Sequence, residues 1–343
     1  MAVPEHESRP DTVADLPLVT EPATVTEVVS MDRDRREEAR AAIARDLEAA
    51  GLDGEYPFDA DPSTWDDLRD ALMCDGHHDL AQQVDALFAR CTRPRPMLVR
   101  ASFAVDDEFD YLAGQYVGFK YNGTSRAYSL ASSPTQDELE LCVRRVPDGR
   151  LSPQICNDLE PGDDVCVRGP YGELVLDEPS TNDMVFLATG TGVAPLKGMI
   201  QCAFDTGQDV FEGVERDVWL FLGCAWEDDL PYREFFRDLD AEHENFHFVP
   251  CLSREPYLTD WDGETDYVQH ALLKHVDADT ITRTDEFVHE WVSREPDSDI
   301  EARIDPRATD VYACGVSAMV FSLTDVVERI GVPDDCIEAE GFG

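Results

Sequence analysis

Along residues 1–30 apolar and polar positions mix without a period, which reads as a mobile acidic arm unable to bury enough apolar surface to fold alone. From Asp32 to Ala50 the pattern turns helical, with Ala39, Ala42, Ile43 and Leu47 on one face and Gly51 as a stop. A linker containing Pro57 follows. Ser63 with Asp66 then forms a capping box, and Trp65, Leu68, Leu72 and Met73 recur at helical spacing up to Asp75 and Gly76. Asp79 opens a further helix whose stripe is Leu80, Val84, Leu87 and Phe88. Residues 31–92 therefore predict a small helical module without catalytic residues. His77 and His78 fall at the turn between its helices and are read as turn residues rather than metal ligands.

Near Pro96 the period shortens to that of strands: Met97–Ala104, Gln115–Tyr121, Arg126–Ala131, Glu138–Arg145 and Asp164–Arg168, separated by turn residues. This texture predicts an antiparallel barrel over residues 93–180. From Asp183 buried apolar strands alternate with helical segments: Met184–Ala188, Val218–Gly223, Phe246–Leu252 and Val311–Cys314. Such alternation predicts a parallel sheet wrapped by helices over residues 181–343. The stretch 277–307 is longer and more acidic than a plain connection needs, and predicts an amphipathic helical insertion around Phe287 and Trp291.

Charge narrows the function. The 73 acidic against 28 basic residues leave a formal charge of −45, and only Lys120, Lys197 and Lys274 among the basic residues are lysines. Such a chain repels phosphate backbones and anionic lipid, which argues against nucleic-acid and membrane-surface partners. Its own repulsion needs screening, so the composition points to a salt-rich cytosol, where the Debye length falls to ~3 Å at molar ionic strength. No stretch of the chain has the apolar length of a membrane span, and no signal-peptide pattern opens it, so a cytoplasmic location is expected. The ten cysteines lack the close pairs of zinc ribbons or iron–sulfur clusters and are read as reduced, mostly buried thiols with no metal.

Four clusters carry candidate chemistry. In RAYSLASSP, Arg126, Tyr128 and Ser129 can pair a phosphate, cover a flat heterocycle and hydrogen-bond a ring atom. In GRLSPQI, Gly149 precedes Ser152 and a helix start whose free N–H groups suit a pyrophosphate. In ATGTGVAP, Gly190, Thr191 and Gly192 form a tight turn directly after an apolar strand, a nucleotide-phosphate position. The fourth comprises the later strand ends, Ser253 with Arg254 and Cys314 with Gly315. All of the last two clusters would face one crevice if the strands are parallel.

The ordered set RAYS, GRLS, GTGVAP, SRE, YACG and terminal EGFG resembles the ferredoxin–NADP reductase superfamily over about residues 95–343. The resemblance implies a six-stranded antiparallel FAD-binding barrel and a Rossmann-like five-stranded parallel NAD(P)-binding domain, here preceded by the helical module. It implies that Arg126 holds the FAD pyrophosphate, Tyr128 packs on the isoalloxazine, and Ser129 bonds near flavin N5. Ser152 would complete the pyrophosphate site. Gly190, Thr191 and Gly192 would line the nicotinamide nucleotide's phosphates, with Cys314 and Gly315 close to the nicotinamide. Glu340 and Phe342 resemble the family's carboxyl-terminal acid and aromatic, although Gly343 follows the aromatic here.

The implied activity is an NAD(P)H-dependent flavin oxidoreductase with Ser129, Cys314 and Glu340 at the reacting centre. No fused cluster domain is visible, so electrons would leave to a separate small redox protein such as a ferredoxin or an oxygenase component. Two alternatives stay open: a flavin-binding regulatory or assembly subunit acting through the helical module, and a direct reductase of small acceptors. Ser253 and Arg254 resemble family residues that can hold the 2′-phosphate of NADPH, a bidentate task that arginine suits. The following Glu255, Asp260, Asp262, Glu264 and Asp266 oppose it, leaning the expectation to NADH.

Overall fold

The computed structural model describes residues 16–52, 62–107, 109–176, 179–258, 261–281 and 285–342. Six strands, β1 (Val19–Ser30), β2 (Leu98–Val105), β3 (Tyr116–Tyr121), β4 (Thr124–Ser129), β5 (Leu139–Arg144) and β6 (Asp164–Tyr171), form an antiparallel sheet in the order β4-β3-β6-β1-β2-β5. A bridge between Leu130 and Leu141 joins its two ends into a barrel. Phe103, Phe119, Leu141 and Val167 fill the interior with no exposed surface. One short helix, α4 (Ser152–Asn157), belongs to this domain.

The acidic arm expected over residues 1–30 is overturned from Val19 onward. That segment is an interior barrel strand, paired with β6 over Val19–Thr24 and with β2 over Ala23–Ser30. Its period of two, carried by Ala23 and Val25, breaks at a bulge between Val25 and Glu27, which hid the strand among polar neighbours. Pro22 is tolerated because pairing with β2 begins only at Ala23. Residues 1–15 lie outside the described residues.

The helical module consequently interrupts the barrel between β1 and β2 and does not precede it. It comprises α1 (Arg36–Ala49), α2 (Pro62–Cys74) and α3 (His78–Thr92). Ala39, Ile43, Leu47, Leu72 and Leu87 close its core, while Met73, expected inside, is 43% exposed. Pro57 and the side chain of Ser63 are outside the described residues, so the linker and the capping box stand as expectations. Among the described residues no group of three or more metal-ligating side chains forms, and no helix is long and apolar enough to cross a membrane.

The carboxyl-terminal domain holds five parallel strands, β7 (Asp183–Thr189), β10 (Val218–Cys224), β11 (Phe246–Leu252), β12 (Thr309–Val316) and β13 (Ile337–Phe342), ordered β11-β10-β7-β12-β13. A two-residue-strand hairpin, β8 (Val210–Phe211) with β9 (Val214–Glu215), sits in the first crossover. Alternate strand residues cover opposite faces of the sheet. Phe186, Leu220 and Tyr312 pack against α5 (Val193–Thr206) and α6 (Arg233–Glu242). Leu187, Phe221 and Val311 pack against α7 (Val268–Lys274) and α9 (Ser317–Ile330).

The expected helical insertion over 277–307 contains one short α-helix among its described residues, α8 (Glu286–Val292). Phe287 and Trp291 pack on the domain core, and the Trp291 ring stacks on His270 at 3.9 Å.

The two domains meet along α5. A Cβ added at Gly198 would lie 2.7 Å from the Ser132 carbonyl oxygen of the barrel, so glycine lets the helix approach that backbone. Lys197 beside it donates to Glu140 of β5 at 3.0 Å.

Candidate active site

The parallel strand order reverses its winding between β7 and β12, and ligands of open α/β sheets bind at the carboxyl ends beside such a reversal. A cleft of about 800 Å³ opens there, lined on one side by barrel residues and on the other by strand ends of the parallel sheet.

The barrel wall is built by β3 and β4, whose register sets Tyr116 opposite Ser129, Val117 opposite Tyr128, and Phe119 opposite Arg126. Tyr116, Tyr128 and Ser129 line the cleft. The half-buried Tyr128 ring meets Phe119 edge-on at 6.3 Å, which fixes its plane. Burial pushes its hydroxyl up to about 12, so Tyr128 presents a neutral ring. Arg126, on the same strand face by the period of two, stands exposed beyond the lining and donates from Nη1 to the Ser125 carbonyl at 2.8 Å.

Gly149 and Ser152 act together in building a turn. The Ser152 hydroxyl accepts the Val146 N–H at 3.0 Å, and a Cβ at Gly149 would lie 2.9 Å from that oxygen. Val146 lines the cleft; Gly149 and Ser152 stand behind it.

The sheet wall begins at Thr189. Gly190 has φ +51° with no atom within 4 Å of where its Cβ would be, so its backbone faces open space. Gly192 serves another purpose: a Cβ there would sit 2.3 Å from the Cys314 carbonyl oxygen, so only glycine lets the turn rest on β12. Gly190 and Thr191 line the cleft, whereas Gly192, Cys314 and Gly315 are buried beneath it.

Cys314 is in register with Ala188 on one side and Glu340 on the other. Burial, reinforced by the nearby Glu340 carboxylate, pushes its thiol up to about 12, so it is a neutral thiol under the floor. Glu340 is half-buried and lines the cleft, and desolvation raises its pKa above the usual carboxylate value. Phe342 is 43% exposed at the same rim, in register with Val316.

Ser253 lines the cleft, and Arg254 is exposed outside the lining. The carboxylates expected to oppose a 2′-phosphate divide sharply. Glu255 is fully buried against Arg35, and Glu264 is 1% exposed against Lys274 at 2.8 Å. Their charges are neutralised in place, while Asp266, a third exposed and 3.6 Å from the same Lys274 ammonium, is the member that lines the cleft. Asp260 lies outside the described residues.

Sequence reasoning missed several lining residues: Tyr116, Cys142, Arg144, Tyr267 and Met319. Tyr116 and Arg144 stood at the ends of expected strands, a signal that names a position without a direction. Tyr267, 67% exposed, lies in the acidic stretch after β11, where only a large exposed aromatic hinted at a surface contact.

Residues 98–176 match the oxidoreductase FAD-binding domain family, and residues 186–324 match the oxidoreductase NAD-binding domain family. Protein RfbI of Salmonella typhimurium is 31% identical over 169 residues, 49% of this chain and 48% of that protein. The reductase component of phenol 2-monooxygenase from a Pseudomonas species is 32% identical over 202 residues, 58% of this chain and 52% of its own length. The leaf isozyme 1 ferredoxin–NADP reductase of Oryza sativa subsp. indica is 30% identical over 258 residues, covering 68% of this chain and 64% of that protein. The chain thus spans about half the length of the first two relatives. Among solved structures, an Amycolatopsis cytochrome P450 reductase aligns with TM-score 0.62 at 24% identity, over 95% of this chain and 71% of that one, a likeness of fold.

Proposed function

We propose that the chain is a member of the ferredoxin–NADP reductase superfamily, an NAD(P)H-dependent FAD oxidoreductase that passes electrons to a separate acceptor such as a ferredoxin or an oxygenase component. One observation carries this reading: a single cleft joins the barrel's Tyr128 and Ser129 to the sheet's Gly190, Thr191 and Glu340. Residues from both domains thereby reach one space, as a two-cofactor reaction requires. Its volume lies within the ~300 to 1,000 Å³ of small-molecule sites.

The residues present fit a flavin nucleotide. Tyr128 offers a fixed neutral ring, Phe342 an aromatic at the opposite rim, and Arg126 an exposed guanidinium on the barrel strand. The open backbone at Gly190 leaves room for a second, phosphate-bearing ligand. When bound, FAD would supply the redox chemistry, taking up an electron pair as one hydride and releasing electrons singly. The chain's part is alignment and proton handling. Tyr128 and Phe342 would hold the ring plane, Ser129 would donate or accept at the ring nitrogen, and Glu340 would hold a proton at its carboxyl beside them. Cys314, beneath the floor, acts through packing under Gly192 in this reading.

The nucleotide reading shifts with Glu255 and Glu264 neutralised. Arg254 is exposed and Asp266 faces the cleft, so these two set the contest between NADPH and NADH. The relatives named as reductase components support a protein acceptor over a small molecule.

A salt-rich cytosol is supported by the ion-pair distribution. Lys197 and Lys274 are each 6% exposed in ion pairs, leaving Lys120 as the exposed lysine on an otherwise arginine-and-acid surface.

Anaerobic titration of the FAD-loaded protein with NADH and with NADPH in high salt tests the proposal. Bleaching of the flavin absorbance by either nucleotide is expected. Bound flavin that neither nucleotide reduces would leave the regulatory-subunit alternative standing instead.

A further inference from the structure

The module inserted between β1 and β2 reaches the parallel sheet through buried ion pairs, one of which meets the turn after β11. Arg35, immediately before α1, donates from Nη1 to Glu255 Oε1 at 2.5 Å, with the two side chains 2% and 0% exposed. The other oxygen of Glu255 accepts the Glu227 N–H at 2.6 Å. One carboxylate therefore ties three segments: the start of the module, the loop after β10, and the turn after β11.

Those two sheet segments wall the cleft. Ser253 N–H donates to the Cys224 carbonyl at 3.1 Å and Arg254 N–H to the Ala225 carbonyl at 2.9 Å, so the turn and the loop move as one piece. Cys224, Ala225 and Ser253 line the cleft. The module grips the same loop apolarly, because Trp226 and Leu258 are buried in a cluster with Ile43, Leu47 and Leu87. Arg93 adds a bond to Asp229 at 2.6 Å, and Arg90 pairs with Asp228.

A buried ion pair is an expensive way to gain stability, since desolvation of both charges offsets their attraction. Its use is geometric. A bidentate-capable guanidinium meeting a carboxylate that also accepts a backbone N–H admits few arrangements. The residue adjoining Glu255 is Arg254, whose side chain is free to meet a ligand only if its backbone is held.

We propose that Arg35 is a positioning residue for the nicotinamide nucleotide. Through Glu255, the helical module holds the Ser253–Arg254 turn in the conformation that receives the nucleotide end distant from the reacting ring. The inference rests on the reductase reading above. It assigns the module a role inside the molecule, in substrate affinity, and leaves contact with an outside partner unnecessary to explain it.

The test is a double variant, Arg35→Met with Glu255→Met, which removes both charges while keeping apolar volume. The FAD-loaded variant and wild type are compared by steady-state kinetics with an artificial electron acceptor, thermal melting and flavin content. Flavin content unchanged, kcat within twofold and a KM for the preferred nucleotide raised tenfold or more support the proposal. A folded, FAD-loaded double variant with wild-type KM overturns it. If the double variant does not fold, Arg35→Lys decides in its place: KM raised at least threefold with kcat kept supports the proposal, and an unchanged KM overturns it. Wild type in the same series separates the two readings. Wild-type flavin that no nicotinamide nucleotide reduces sinks the reductase assignment, whereas reducible wild type with insensitive variants sinks this inference alone.

Discussion

Lys197 of α5 and Glu140 of β5 join the two domains, Nζ donating to Oε1 at 3.0 Å with side chains only 7% and 14% exposed. The ammonium also lies over the rings of Tyr232, at 5.1 Å, and Phe235, at 4.8 Å. Because α5 directly follows the Gly190–Gly192 turn, this pair fixes the distance between the nucleotide turn and the barrel wall. Removing Lys197 leaves the mostly buried Glu140 with only a longer contact to Arg100 Nε at 3.8 Å, a loss of about 1 to 3 kcal/mol. Lys197→Met should therefore unfold at lower denaturant concentration and reduce its flavin more slowly. Wild-type values for both in denaturant titration and stopped-flow absorbance would show the link to be dispensable.

Arg126→Ala should lose FAD. Deleting a charge-assisted phosphate contact costs about 1.5 to 3 kcal/mol, about tenfold or more in affinity. The side chain bonds its neighbour's carbonyl on an exposed strand, so the fold itself should survive. Flavin retention on gel filtration measures the outcome, and full retention contradicts the assignment of Arg126.

Glu340 should confer a pH dependence on turnover. Desolvation raises its pKa, so the protonated carboxyl persists above the ordinary carboxylate range. A step that needs that proton is full below the raised pKa and fades as pH rises through it. Glu340→Gln should abolish this inflection in a pH series of stopped-flow rates, with FAD still bound. An identical profile in the variant removes Glu340 from the proton path.

Asp266 should bias the enzyme against NADPH. A carboxylate ~4 Å from a phosphate charge in water costs about 1 kcal/mol, about fivefold in affinity. Asp266→Asn is expected to raise kcat/KM for NADPH relative to NADH by about that factor at low salt. The gain should shrink in molar salt as screening grows. A ratio unmoved at any salt concentration would mean that the phosphate does not approach Asp266.

His275 should make the protein sensitive to mild acid. It is fully buried, with Nδ1 set against the Ala271 carbonyl at 2.8 Å and Nε2 against the Ser298 hydroxyl at 2.8 Å. Burial holds its pKa down to about 4. An unfolded chain takes up that proton near pH 6.5, so the stability is present above about 6.5 and is lost as pH falls toward 4. The loss runs at up to ~1.4 kcal/mol per pH unit. Denaturation midpoints at fixed high salt should fall over this window, and less steeply in His275→Gln.

Much of the architecture could be read directly from the order of residues. The five barrel strands from Met97 on and the parallel strands at Met184, Val218, Phe246 and Val311 announce themselves because each buries a regular set of side chains, and that period is a local property. The clusters at Arg126 and Gly190 were legible for a similar reason: their residue types suit a ligand at fixed short spacing. What the order of residues could not supply is pairing across distance. β1 is held by distant partners, Val99–Val105 on one side and Asp164–Gly169 on the other, and its bulge erased the local period. The neutralisation of Glu255 by Arg35 spans 220 positions, so the acidic run after Arg254 read as repulsion although Glu255 and Glu264 were already paired. The burial of Cys314 under Gly192 depended on the same kind of fact. Side-chain period and turn chemistry are encoded by neighbours, whereas burial, ion pairing and the meeting of two domains at one cleft arise only when the closed barrel and the stacked sheet bring distant residues together.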